Sequence, residues 1–138
     1  MIGIRCVWDD AGHTVIRAYI GETWTWDDVS QSMQTINSMM GSAQHQVDVI
    51  AIMRPTTPFP AEGTDHIVAE IYRTMPLNWG IFVFVGGNPE LLDMIRAVSR
   101  ANPVLMGRIF MTEMLGDAYR IISMMRPEVQ GFDSLIAV

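Results

Sequence analysis

Cys6 is the only cysteine in a chain of 138 residues, so no intrachain disulfide can form. It falls in a predicted strand, where a buried, inert thiol is expected. Positive charge is scarce as well. Nine Lys and Arg stand against fifteen Asp and Glu, a formal net charge of −6. That balance argues against a nucleic-acid backbone or an anionic membrane as the main partner. Arg96, Arg100 and Arg108 form the best basic group, but apolar residues separate them as in a solvated rim. No apolar run approaches the ~20 residues needed to span a bilayer. Met1-Ile2-Gly3-Ile4-Arg5 runs straight into a strand and lacks the pattern of a leader. The expectation is a soluble, cytoplasmic protein with no membrane span. His13, His45 and His66 have no short spacing that would gather metal ligands. Val85-Gly86-Gly87-Asn88-Pro89 lacks both the G-x-G-x-x-G spacing and the Walker lysine. Its backbone N–H groups can meet an anion, yet a tight turn placing Asn88 as a cap explains it without a ligand. No cofactor is expected.

What the chain does hold is apolar pattern. Hydrophobic residues make up 49% of it, which is too many for disorder. The organising stretch is Val47–Met75. Val47-Asp48-Val49-Ile50-Ala51-Ile52-Met53 is a short run rich in β-branched residues with one polar interruption, as expected of a strand covered on both faces. Pro55, Pro58 and Pro60 then exclude helix. Thr64 can cap a following helix, whose stripe is Ile67, Val68, Ile71, Tyr72 and Met75.

The flanking segments follow the same logic. Ile4–Trp8 and Thr14–Gly21 favour β structure around Asp9-Asp10-Ala11-Gly12-His13, which predicts a hairpin. Thr25 with Asp28 opens a helix, Val29, Met33, Ile36 and Met40 mark its inner face, and Gly41 is its expected stop. Ile81–Val85 is a second two-sided strand. Asn88-Pro89-Glu90 starts the next helix, faced by Leu91, Leu92, Ile95 and Val98. Arg108–Thr112 predicts a last strand and Glu113–Met125 a last helix. The order is β-β-α-β-α-β-α-β-α. It predicts an α/β fold with a mixed, mostly parallel sheet, an N-terminal β-hairpin and alternating helices. One domain is expected over residues 1–126, with a C-terminal tail over 127–138.

That order, together with the hairpin Ile4–Gly21, the Thr25-Trp26-Asp27-Asp28 helix start, the strand Val47–Met53 and the turn Phe82-Val83-Phe84-Val85-Gly86-Gly87-Asn88, resembles the STAS domain. This is the fold of bacterial anti-sigma-factor antagonists and of the cytoplasmic domain of sulfate transporters. More narrowly, the chain is similar to small stand-alone bacterial STAS/SEC14-like proteins of the sporulation-antagonist type. The resemblance implies a non-enzymatic regulatory module with a protein partner. In the antagonists a kinase phosphorylates a Ser or Thr near the start of the helix after the central strand. The added charge, about −1.5 to −2, prevents binding to that kinase. Here the matching region is Arg54-Pro55-Thr56-Thr57-Pro58-Phe59-Pro60, without the family's Asp and Gly. Thr56, Thr57 and Thr64 are the candidate phospho-acceptors or partner-loop residues. Turn polarity explains Thr56 and Thr57, and helix capping Thr64, without a phosphate.

Two rival readings come from composition. Twelve methionines, mostly on apolar faces, suit core packing, and they also suit a Met-lined pocket for an apolar small molecule or lipid. Trp24, Trp26 and Trp79 flank element starts, where half-buried tryptophans are usual. The carboxylates Asp27, Asp28, Asp65 and Glu70 would be an enzyme's raw material, but they sit at helix starts, where capping explains them. A homodimer would use the exposed hairpin edge or the apolar tail Leu135-Ile136-Ala137-Val138.

Overall fold

The computed structural model describes residues 2–59, 78–101 and 107–125. Five strands lie in one sheet: Ile4–Trp8 (β1), Val15–Ile20 (β2), Val47–Met53 (β3), Trp79–Gly86 (β4) and Ile109–Thr112 (β5). Their spatial order is their chain order. β1 and β2 are antiparallel; every later pair is parallel. The α/β class, the mixed sheet and the N-terminal hairpin are as the sequence predicts.

Three helices are described: Trp26–Gly41 (α1), Pro89–Ala101 (α2) and residues 115–125 (α3). The helix expected over Thr64–Met75 and the tail 127–138 lie outside the described residues. Each of α1 and α2 starts where a side chain satisfies an orphan N–H. Thr25 Oγ1 accepts from Asp28 N at 3.2 Å, and Asp28 Oδ2 accepts from Thr25 N at 2.8 Å. Asn88 Oδ1 accepts from Leu91 N at 3.0 Å. Gly41 is still helical, and Ser42 caps α1 instead.

Alternation along β3 divides the core into two layers. Val47 and Val49 pack with Ile16, Trp79, Ile36 and Met40 of α1, and Val98 of α2. Ile50 packs with Val15, Ile81, Val83 and Val85, and with Ala118 and Ile122 of α3. Helices therefore cover both faces, which is why this strand reads as nearly unbroken apolar sequence. Ile50 is fully enclosed, and its burial contributes roughly 1.5–3 kcal/mol.

The polar interruption, Asp48, has a structural cause. The β3–β4 register shifts between Val47 and Val49. In that irregularity Asp48 Oδ1 accepts from Ile81 N at 2.8 Å and from Gln46 Nε2 at 2.9 Å. A side chain at Gly80 would collide with both polar groups. Ahead of the shift Val47 pairs with Trp79, so β4 begins two residues before the expected Ile81.

Candidate functional site

The register places a row of side chains across the α1/α2 face of the sheet: Cys6, Ala18, Ala51, Phe84 and Met111 are successive cross-strand neighbours. The next row, Trp8, Ile16, Val49, Phe82 and Ile109, is bulkier at its centre. Ala18 and Ala51 are both buried, yet each fills only a methyl's worth of space. Above them the helices leave a cavity of about 110 Å³. Val29, Met33 and Ile36 of α1 form one wall, and Leu91, Met94 and Ile95 of α2 the other. Trp24, Trp26 and Phe59 line one end.

That end lies beyond the carboxyl termini of the parallel strands, where α/β sheets gather their ligands. Trp24 and Trp26 follow β2, and Phe59 follows β3. The three rings meet edge-on: Trp24 lies 5.0 Å from Trp26 and 5.2 Å from Phe59, centroid to centroid. A clamp behind them ties the loops after β3 and β4. Asn88 Nδ2 donates to Thr57 O at 3.0 Å and to Pro55 O at 3.3 Å. Gly86, at φ +83°, carries the chain round so that Gly87 N donates to Met53 O at 3.2 Å.

Among the described residues, no Asp, Glu, Arg, Lys or His lines the cavity. Ser32 donates its hydroxyl to Val29 O at 2.8 Å. Trp24 Nε1 is buried with no hydrogen-bond partner. Cys6, half-buried beside this layer, has its thiol pushed up to about 11 by burial, so it stays neutral and unreactive at ordinary pH.

Charged chemistry gathers on the other face. Arg17 Nε lies 2.5 Å from Asp9 Oδ1, and Tyr119 donates its hydroxyl to Asp9 Oδ1 at 2.6 Å. Arg17 Nη1 donates to Tyr19 at 2.9 Å. Burial, then the hydrogen bond to Asp9, raises the Tyr119 pKa. This group pins β1, β2 and α3 together.

The threonines singled out in the sequence part company. Thr56 is exposed. Thr57 is only 2% exposed, and its Oγ1 has no hydrogen-bond partner. Thr64 lies outside the described residues, as do His66, Asp65 and Glu70. Asp28 is spent in the α1 cap. Arg108 does not join an exposed basic group with Arg96 and Arg100; its Nη1 donates to Trp79 O at 2.8 Å. Among the described residues, no three His, Cys, Asp or Glu side chains come together as metal ligands. No described helix is long and apolar enough to cross a membrane.

Sequence reasoning found Met33 as a member of an apolar face, but it missed Ala18, Ala51 and Phe59 as parts of a site. No family model matches the chain, and no curated protein or solved structure is significantly similar to it.

Proposed function

We propose that the protein is a binding module for a small, neutral, apolar molecule, held between α1, α2 and the sheet and not chemically changed there. The observation that supports this is the cavity over the Ala18–Ala51 pair. Interiors are normally packed without voids larger than a water molecule. An apolar cavity of ~150 Å³ stays dry and takes up benzene. A pocket of about 110 Å³, smaller than that and partly open, suits a molecule no bulkier than a single-ring compound. Among the described residues no cation lines the cavity, which argues against a fatty-acid carboxylate or a phosphate headgroup, because an unpaired buried anion is too costly. The test is native mass spectrometry of gently purified protein, followed by calorimetric titration with styrene. A carried neutral molecule or saturable styrene binding is expected. A bare chain that takes up no styrene would sink the reading.

A regulatory, protein-binding role of the kind the STAS resemblance implies is the second reading. Thr56 favours it, because it stands exposed on the loop that carries Phe59 to the cavity. Thr57 is a poor acceptor in this conformation, since its hydroxyl is enclosed. Peptide mapping of the native protein should then place any phosphate on Thr56. Phosphate found on Thr57 would count against the role as stated.

A further inference from the structure

β1 is an edge of the sheet, and among the described residues nothing pairs with its outer side. Its register against β2 is regular over five consecutive pairs and it holds no proline, so it lacks two devices that commonly guard an edge. Gly21 N donates to Gly3 O, and Asp9 N to Val15 O. In an antiparallel ladder such positions alternate, so the backbones of Gly3, Arg5, Val7 and Asp9 face β2 and those of Ile4, Cys6 and Trp8 face outward. On the α3 face of this edge Arg5 and Val7 stand exposed, Val7 at 36%. Asp9 follows them on the same face. Arg17 and Tyr119 both meet its Oδ1, so Oδ2 can take a further cation.

We propose that β1 pairs antiparallel with β1 of a second copy of this chain, about a two-fold axis at Val7. A two-fold interface sets one patch against itself, and this strand is self-complementary in that register. Val7 meets Val7 of the second copy, and each Arg5 meets the Asp9 opposite it. Cys6 and Trp8 exchange backbone hydrogen bonds with Trp8 and Cys6 of the second copy, which satisfies outward-facing groups on both chains. Charge selects this register. An axis at Cys6 would set Arg5 against Val7 and bring the two Arg5 side chains to diagonal positions. In the Val7 register the two five-stranded sheets become one continuous sheet.

Sedimentation velocity of the full chain, from micromolar to millimolar concentration, should show a monomer–dimer equilibrium. Val7→Lys places like charges on the axis, and Arg5→Glu sets a carboxylate against Asp9. Both side chains are exposed, so neither substitution empties the core. Each should raise the dimer dissociation constant about tenfold. In the wild type alone, amide exchange at Cys6 and Trp8 should slow as concentration rises, while Arg5 and Val7, whose amides face β2, stay unchanged. That second measurement decides the matter even if a variant misfolds. A chain that remains monomeric throughout overturns the proposal. A dimer that survives both substitutions, with exchange at Cys6 and Trp8 unaltered, also overturns it, and loss of that dimer on deleting residues 127–138 would assign the interface to the tail.

Discussion

Ala51 shapes the proposed site through the volume it leaves empty. Its Cβ faces Ala18 across the β2–β3 ladder, and any larger side chain there would grow into the cavity. Ala51→Leu should weaken styrene binding at least tenfold, a loss of roughly 1.4 kcal/mol, while circular dichroism stays native. Unchanged binding would show that the floor is elsewhere. Cys6 makes a separate prediction at the same scale. Its thiol titrates near 11 in the fold against a usual 9. A folded pKa raised above the unfolded one favours the fold most below about pH 9, and that contribution fades as pH rises through 11. Reaction with a thiol reagent at pH 8 should therefore be slow in buffer and fast in urea. Equal rates would contradict the burial. The place of Cys6 in a strand predicts a buried thiol, and the structure has it half-buried. The sequence could not announce Ala51, because an alanine in an apolar strand reads the same whether a neighbour fills the space or not. Only the register, which sets Ala51 opposite Ala18, reveals the gap.

The elements divide in the same way between local and non-local causes. α1 and α2 were legible because their caps are local: Thr25 with Asp28, and Asn88 with Pro89, carry the start signal within four residues. The β3–β4 irregularity was not, since Asp48 reads as an interruption until Ile81 N, from a distant strand, is placed on it. Gly80→Ala should lower stability by roughly 1–3 kcal/mol, because its methyl group meets Asp48 and Gln46. Asp48→Ala should cost about as much, by leaving the Ile81 amide unpaired. Equilibrium urea denaturation measures both, and a neutral result for either would remove the account of the bulge. Asn88→Ala combines a lost cap, about 1 kcal/mol, with release of the Pro55–Thr57 loop from α2. Its distinguishing effect should be faster exchange of the Thr57 amide, which donates to Arg54 O. Exchange no faster than in the wild type would show that the clamp does not hold the loop.

For the molecule as a whole, the sheet was readable and the site was not. Two two-sided apolar runs forced adjacent parallel strands between helical layers, and this pattern survives coarse reading. A cavity is a difference between the space elements enclose and the volume their side chains fill, and no short stretch of sequence encodes that difference. Ligand uptake should stabilise the whole chain by mass action. At one hundred times its dissociation constant, a ligand adds about 2.7 kcal/mol, which for a domain of this size raises Tm by roughly 10 °C. A scan with saturating styrene that shows no rise would contradict binding to the folded form. Among the described residues no charged side chain lines the cavity, and this carries one more consequence. Occupancy by a neutral molecule there exchanges no protons and displaces no counter-ions. Affinity should therefore stay level between pH 6 and pH 8 and between dilute and molar sodium chloride. A protein built this way would report how much of its ligand is present while remaining deaf to the acidity and ionic strength of the medium around it.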